Sequence, residues 1–506
     1  MQHNTRSNTI YKMGLILSSR VLTALLGIIF LPLYVRFLGV ESYGLVAFYA
    51  TLAGGLSLLG TGLSASTNRE VSRLHANFSS MQRKASLLFS VEIINWIIAF
   101  AAGILIIMCS PLIAKYWINT QEISIPVLRY SIIVMGLIFA FQLPYAVYEG
   151  ALNGLGRQGT FAVINMIFAI VKSVGVILVF MYVKADIITF FLWQLLVTAG
   201  LTLTARHLAY KIIDPSGSKK YYSAKMLRQI KSFALGITGI AVVSFFIAQA
   251  DKIIVSKFLL LEYVGYYSIA FLLAGVLGMI ASPLQTIALP KFNALESQGR
   301  HSELKTYYYK IIKWMAVLLM PAGFAIMAFS NDILLLWTRN ASLAAQTSPI
   351  LQVVTLGYAF NGVASIFYLY TLAKGNTRYG FYQNLASIVV ILPLLIILTK
   401  QYGALGAASC WLIYNTMMLV ISLPVFHFLY IKGEYFRWVK QAFIFPFLLS
   451  AVIFLAGKWL QLQIYPTLNV FELILILFFL SLVYILLIKD LRNYIYLLIR
   501  KKFAWF

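Results

Sequence analysis

Three charged residues lie within long apolar stretches of the chain: Arg20, Glu92 and Lys172. A charge at the centre of a membrane helix costs at least about 2.5–3.5 kcal/mol, so it is expected to face a hydrated cavity or a partner. Two of the three are basic, and a cavity of that sign favours an anion such as a phosphate or pyrophosphate. Arg20, Lys172 and Glu92 are therefore candidate substrate-binding residues of a cavity.

The depths of these charges leave alternatives open. Arg20 lies roughly 10 Å inside the first apolar stretch at helical rise, and Glu92 lies at similar depth in the third. A structural Arg20–Glu92 ion pair is therefore as well supported as a shared cavity. Lys172 lies near the middle of the fifth stretch with no partner at its depth. It is expected to face an aqueous cavity; the alternative is a buried neutral lysine or one bonded to backbone carbonyls.

The composition requires membrane helices to position these residues. The chain has 506 residues, of which 61% are apolar and 11% charged, and its mean hydropathy is +0.86. A soluble protein needs more charge to cover its surface. About 14 stretches reach the roughly 20 apolar residues that cross a bilayer. The predicted fold is an all-α integral membrane protein.

The sequence is predicted to contain two copies of a six-helix unit. The segment Phe37-Leu38-Gly39-Val40-Glu41-Ser42-Tyr43-Gly44 recurs from Phe258 to Gly265, an offset of 221 residues. The same offset superposes Gly154-x-x-Arg157-x-Gly159 on Gly375-x-x-Arg378-x-Gly380. An even number of helices makes such repeats parallel, an arrangement typical of transporters. Arg157 and Arg378, in equivalent turns, are expected to form a gating contact; the alternative is that they only set topology.

The predicted organisation has four parts. An N-terminal six-helix lobe covers 1–205, and an inter-lobe linker covers 206–231. A C-terminal six-helix lobe covers 232–430, and two additional helices with a basic tail cover 431–506.

The distribution of charge predicts that both termini and the linker are cytoplasmic. The net charge is +25, and only nine of the 40 Lys and Arg fall in the predicted outer segments. That bias follows the positive-inside rule. No soluble basic domain is present to bind nucleic acid, no extramembrane stretch is large enough for a catalytic domain, and no GxxxxGK[ST] loop or metal-ligand cluster occurs. The chain is therefore expected to be a non-enzyme with no cofactor and no metal.

Several motifs identify a family resemblance. The stretch Phe30-Leu-Pro-Leu-Tyr-Val-Arg36-Phe-Leu-Gly39, then Glu41-x-Tyr43-Gly44 and Asn68-Arg69-Glu70, resembles the opening of the Wzx-type polysaccharide flippases. The segment Gln249-Ala-Asp251-Lys252-Ile-Ile-Val-Ser-Lys257-Phe-Leu is similar to the same family. These proteins belong to the multidrug/oligosaccharidyl-lipid/polysaccharide transporter superfamily. The resemblance covers the whole chain, and its motifs are structural, so they indicate the family rather than the glycan.

The resemblance implies a V-shaped, two-lobed transporter of the bacterial inner membrane. Such proteins carry an undecaprenyl-pyrophosphate-linked oligosaccharide, such as an O-antigen repeat unit, from the cytoplasmic to the periplasmic leaflet. In the related lipid II flippases, arginines of both lobes line a cationic cavity, and Arg20 matches one such position. The C-terminal lobe of this chain has no clear intramembrane arginine. Membrane lipids, a polysaccharide polymerase and a chain-length regulator are the other expected partners.

Two alternative functions remain open at this stage. A drug or cation-coupled exporter of small amphipathic molecules on the same fold would need a protonatable carboxylate, for which Glu92 is the candidate. A membrane scaffold for polysaccharide synthesis would not transport anything, and the charges in its cavity would be dispensable.

Overall fold

The chain forms long helices joined by short turns. The computed structural model describes residues 2–77, 79–431, 435–464 and 467–488; within these ranges the side chains of residues 2–13, 17, 20, 247, 248, 377–381, 384, 437, 438, 441 and 442 are not described. The helices are α1 (Gln2–Leu38), α2 (Val40–Ala76), α3 (Met81–Leu112), α4 (Ile125–Gly154), α5 (Gln158–Tyr182), α6 (Ile187–Ile213), α7 (Ala224–Phe258), α8 (Leu261–Ala274), α9 (Val276–Ser297), α10 (His301–Ala328), α11 (Ser330–Thr338), α12 (Ala341–Ala373), α13 (Thr377–Met417), α14 (Leu423–Tyr430), α15 (Tyr435–Trp438), α16 (Phe445–Ile464) and α17 (Val470–Leu487). Short π-helical segments follow α3 (Ile113–Trp117), join α13 to α14 (Met418–Ser422) and join α15 to α16 (Val439–Ile444). The predicted tail beyond residue 488 lies outside the described residues.

The number of membrane spans agrees with the sequence. The described residues contain 13 helical segments long and apolar enough to cross a membrane. One of them, Leu385–Tyr430, breaks at Gly403, whose φ of 61° and ψ of −142° are not helical. A Cβ on Gly406 would lie 2.0 Å from the Leu398 carbonyl oxygen, so the chain reverses there and makes two spans. The all-α membrane fold with about 14 spans is confirmed.

Small residues bring α2 and α4 into close contact in the first half of the chain. A Cβ added to Gly150 would lie 2.3 Å from the Ser64 carbonyl oxygen, and one added to Gly154 would lie 2.7 Å from the Asn68 oxygen. Gly150 and Gly154 are four residues apart on α4, which is the small-xxx-small pattern that lets membrane helices pack closely. The core beside this contact includes the fully buried Tyr148. This packing holds α4 at the centre of its unit.

The contacts divide the chain into two compact units, Met1–Gly265 and Tyr266–Phe506. The first unit includes α7, which packs along α2: a Cβ on Gly62 would lie 2.1 Å from the Ala234 carbonyl oxygen. The contact boundary therefore falls after α7, whereas the sequence placed the boundary between its two repeats in the linker. The predicted limits of the duplication remain a prediction.

The core of the second unit is rich in aromatic residues. Tyr308 of α10 packs edge-on against Tyr370 of α12, with ring centroids 5.3 Å apart, and both contact Phe426 of α14. Between α12 and α13, Asn361 donates a 2.8 Å hydrogen bond to Asn415. Such interhelical amide bonds satisfy polar groups that lipid cannot solvate.

The segment between α6 and α7 is held against α3. The Tyr221 and Ser223 amides donate to the hydroxyls of Ser86 and Ser90, at 3.2 and 2.9 Å, and Gln82 donates to the Lys219 carbonyl at 3.0 Å. We call the end of the first unit that carries this segment the linker side. The opposite end carries the α1–α2 and α7–α8 junctions.

At that opposite end, the two copies of the repeated motif touch each other reciprocally. A Cβ on Gly44 would lie 2.0 Å from the Leu261 carbonyl oxygen, and one on Gly265 would lie 2.8 Å from the Val40 carbonyl oxygen. Val40 and Gly44 correspond to Leu261 and Gly265 at the offset of 221 predicted from the sequence. Each copy therefore places its glycine against the start of the other copy's helix.

The second repeated block has a different register in the structure. The α4–α5 turn closes through Gly156 (φ 69°), and the α12–α13 turn closes through Gly375 (φ 71°). Superposing these two left-handed glycines gives an offset of 219 residues, which aligns Arg157 with Asn376. The expected alignment of Arg157 with Arg378 is therefore wrong by two residues, because the glycine that makes the first turn is Gly156 and not Gly154.

Candidate functional site

Lys172 lies beyond the midpoint of α5, roughly 21 Å from the first residue of the helix by its rise of 1.5 Å per residue. Its side chain is half-buried. Its Nζ makes no hydrogen bond or ion pair with any residue that the structure describes. An ammonium group at that depth is stable only with a cavity, a ligand or a partner to solvate it. The cavity role that the sequence predicts for Lys172 therefore remains a prediction.

Aromatic residues of two neighbouring helices hold α5 on either side of Lys172. The Trp193 indole of α6 donates to the Val171 carbonyl at 3.3 Å, and the Tyr34 hydroxyl of α1 lies 3.5 Å from the Ser173 carbonyl. The indole ring of Trp193 also covers Gly175, where an added Cβ would come within 2.2 Å of a ring carbon. The backbone that carries Lys172 is therefore fixed between α1 and α6.

Two other predicted residues lie in helices whose side chains at those positions are not described. Arg20 is in α1 and Arg378 is in α13. The cavity role predicted for Arg20 and the gating role predicted for Arg378 therefore remain predictions.

Glu92 of α3 is the centre of a buried polar cluster. Its side chain is almost fully buried, and its carboxylate accepts hydrogen bonds from Arg206 Nε (2.5 Å), the Tyr148 hydroxyl (2.8 Å) and the Tyr210 hydroxyl. The Trp96 indole donates to the Tyr148 hydroxyl at 3.2 Å and completes the cluster. Glu92 thus has three donors and a compensating positive charge within the first unit.

The structure describes a partner of Glu92 that the sequence did not suggest, and the Arg20–Glu92 pair remains a prediction because the Arg20 side chain is not described. The pair expected from depth alone was Arg20–Glu92, whereas the described partner is Arg206. Arg206 had been assigned to the linker, but α6 continues to Ile213 and carries Arg206 on its last two turns. The Arg206–Tyr210 spacing of four residues places both donors on one face of α6, and this signal was readable in the sequence.

Arg157 lies at the linker side, at the start of α5. It is the N-cap residue of α5, it is exposed, and its side chain forms no ion pair with a described carboxylate. Its neighbours are Lys84 and His75, which share a cavity with it. Sequence reasoning missed Lys84, because a lysine in the first turn of a span is usually solvated, whereas this one is about nine-tenths buried.

Glu41 is a further buried carboxylate that sequence reasoning quoted only as part of a motif. It accepts hydrogen bonds from the Gln121 and Glu122 amides, both at 2.8 Å, and from the Thr120 hydroxyl. Successive backbone N–H groups of a turn form a concave site for an anion, and Glu41 occupies that site. It therefore ties the start of α2 to the connection before α4.

Comparison with known proteins decides the family of this fold. The sequence profile described as polysaccharide biosynthesis protein matches residues 10–296, more than half of the chain. The chain belongs to the polysaccharide biosynthesis protein family. A second profile, MatE, matches residues 237–397 of this polysaccharide biosynthesis protein. The Wzx-type resemblance seen in the sequence is thereby confirmed.

Two relatives resemble this polysaccharide biosynthesis protein over most of its length. A Shigella flexneri protein named "Putative O-antigen transporter" is 23% identical over 380 residues, which cover 74% of this chain and 87% of the relative. An uncharacterized membrane protein of Methanocaldococcus jannaschii is 22% identical over 338 residues, which cover 64% of this chain and 65% of the relative.

Solved structures show the same fold. The lipid II flippase MurJ in an inward closed conformation has a TM-score of 0.71 at 19% identity, covering 94% of this chain and 98% of that one. An inward-facing multidrug resistance transporter of the MATE family has a TM-score of 0.65 at 14% identity, covering 83% and 96%. This polysaccharide biosynthesis protein thus shares the multi-pass membrane fold of these two structures.

Proposed function

We propose that this protein is a flippase for an undecaprenyl-pyrophosphate-linked oligosaccharide repeat unit, an O-antigen or a similar glycan. It carries the repeat unit from the cytoplasmic to the periplasmic leaflet of the bacterial inner membrane, with both of its termini in the cytoplasm. The family membership and the O-antigen transporter relative support this substrate class. The distribution of Lys and Arg supports the orientation.

The observation that carries the proposal is the position of Lys172. Its ammonium group lies deep in a membrane helix, and no described residue neutralises it. A pyrophosphate supplies two or more negative charges, and a charge-assisted hydrogen bond to it is about twice as strong as a neutral one. Lys172 and Arg20 bind the pyrophosphate along a cationic cavity, and the polyprenyl tail stays in lipid while access alternates between the two leaflets.

The contacts of Glu92 favour this proposal over a proton-coupled drug exporter. Such an exporter needs a carboxylate that binds and releases protons during the cycle. Glu92, the carboxylate that the sequence offered for this task, accepts three hydrogen bonds, one of them from a guanidinium group. We assign Glu92 and Arg206 to the structure of the lobe.

The test is deletion of the gene in its native host, followed by complementation. Surface polysaccharide is resolved by electrophoresis, and lipid-linked intermediates are extracted and assigned to a leaflet by their accessibility in spheroplasts. We expect the deletion strain to lack polymer and to accumulate undecaprenyl-pyrophosphate-linked repeat units facing the cytoplasm. Normal polymer in the deletion strain would sink the proposal, and increased drug sensitivity in the same strain would then favour the exporter. Loss of polymer with repeat units already at the periplasmic leaflet would instead favour the scaffold.

A further inference from the structure

A cavity of about 570 Å³ lies at the linker side of the first unit, outside the region of Lys172. It is lined by residues of α1, the end of α2, the start of α3, the α4–α5 turn, the start of α5 and the end of α6. Its basic lining residues are His75, Lys84 and Arg157, and no carboxylate is among the described residues that line it. Three cationic or titratable donors around one space favour an anion inside it.

Lys84 is the most informative residue of this cavity. Its exposed fraction is 9%, and it makes no hydrogen bond or ion pair with any described side chain or carbonyl. Its Nζ is not among the described side-chain atoms that are closed to solvent, so the stem of Lys84 is covered while its ammonium group keeps access to water. Since Lys84 lines the cavity, an anion in that space would meet a cation that has no protein partner among the described residues.

The start of α5 supplies further donors to the same space. The first intrahelical bond of α5 runs from the Phe161 amide to the Arg157 carbonyl, and no side chain caps the helix. The amides of Gly159 and Thr160, which both line the cavity, therefore precede the intrahelical hydrogen-bond ladder. Unpaired amides and the positive end of the helix dipole form an anion site.

The cavity also has an apolar wall. Leu15 of α1, Met81 of α3 and Val163 of α5 line it, and the side chains of Met81 and Val163 are exposed. In a membrane, apolar residues exposed beside a basic site contact lipid. A phosphate group attached to an acyl chain or polyprenyl chain would use both surfaces.

We propose that this cavity binds the phosphate group of a membrane lipid, with Lys84, Arg157 and the amides at the start of α5 as its donors. The proposal does not depend on the transported substrate, because these residues are distinct from Lys172 and Arg20. The site places a lipid phosphate on the end of the first unit to which the α6–α7 segment is attached.

The test compares three variants of the full-length purified protein. Lys84→Gln and Arg157→Gln remove proposed donors, and Arg83→Gln is the matched control, since Arg83 neighbours Lys84 on α3 but does not line the cavity. Binding of phosphatidylglycerol is measured by native mass spectrometry after delipidation and titration, with phosphatidylcholine as the neutral lipid. We expect Lys84→Gln and Arg157→Gln each to weaken phosphatidylglycerol binding at least about tenfold, and Arg83→Gln to leave it unchanged.

Inorganic phosphate distinguishes a lipid from a soluble source of the anion. If inorganic phosphate raises the unfolding temperature of the wild type but not of Lys84→Gln, while binding of phosphatidylglycerol is equal in both, the site binds soluble phosphate. If all three variants bind both probes as the wild type does, the proposal is overturned. Because Arg157 is exposed, Arg157→Gln keeps the test decisive even where Lys84→Gln fails to fold.

Discussion

Arg206 Nε lies 2.5 Å from Glu92 Oε1, joining α6 to α3 across 114 residues of sequence. The two charges are unequally buried: Glu92 is almost inaccessible, whereas the Arg206 side chain is 42% exposed. Removal of the guanidinium group would therefore leave the Glu92 carboxylate buried without a counter-charge and without water to solvate it.

We therefore expect Arg206→Ala to destabilise the protein. Loss of one partner of a fully buried pair costs about 3–5 kcal/mol, and the exposure of Arg206 reduces the expected loss to about 1–3 kcal/mol. The measurement is the midpoint of unfolding in detergent. Arg73→Ala, which breaks the exposed pair with Glu70, is the control and should change stability by less than about 0.5 kcal/mol. Equal effects of the two substitutions would contradict the cluster.

Removing the charge of Lys172 should abolish transport without loss of the protein. Lys172→Met keeps an apolar side chain of similar length in the membrane, so the protein should reach the membrane in normal amount. Without its charged hydrogen bond, pyrophosphate affinity should fall about 10- to 100-fold. Surface polysaccharide is the readout in a complemented deletion strain, and Lys172→Arg should restore part of it. Lys184→Met is the control, because Lys184 is exposed at the end of the same helix beside Asp186. Normal polymer in the Lys172→Met strain would remove this residue from the site.

The helix contact at Gly150 predicts a steric defect. Gly150→Ala would place a methyl group 2.3 Å from the Ser64 carbonyl oxygen, so α2 and α4 must move apart. Overpacking of this kind costs about 1–3 kcal/mol. Gly236→Ala is the matched control: it is helical and has nothing within 4 Å of the added methyl. It should be neutral or stabilising by up to about 1 kcal/mol. Thermal unfolding in detergent gives both values, and a neutral Gly150→Ala would show that the helices are farther apart.

A pH effect is expected at the end of α6. Hydrogen bonds from Ser216 (2.6 Å) and Ser218 (3.1 Å) hold the pKa of Asp214 below its ordinary value. A lowered folded-state pKa contributes stability that is complete above the unfolded pKa, about 3.9, and is lost as pH falls through the folded value. Ser216→Ala should therefore be less stable than the wild type at neutral pH, with the difference shrinking as the pH falls below about 4. A difference independent of pH would exclude Asp214 as its origin.

The membrane spans were readable from the sequence because each needs its own long apolar run, and even the reversal at Gly403 is marked by the glycines Gly403 and Gly406. Side-chain pairs between helices that are distant in sequence were harder to predict. Depth along a span placed Glu92 beside Arg20, but only the rotation of α6 brings Arg206 to it. The burial of Lys84 could not be predicted from the sequence either, because it depends on how the α4–α5 turn and the end of α6 pack around the start of α3.

The reciprocal contact of Gly44 with Leu261 and of Gly265 with Val40 bears on the ancestry of the chain. Gly265 is the counterpart of Gly44, and Leu261 is the counterpart of Val40. Exchanging the two copies therefore gives the same pair of contacts. That is the rule of an isologous interface in a homodimer. A half-length ancestor could make the same contact with a second copy of itself, and gene fusion would then have turned a subunit interface into an internal one.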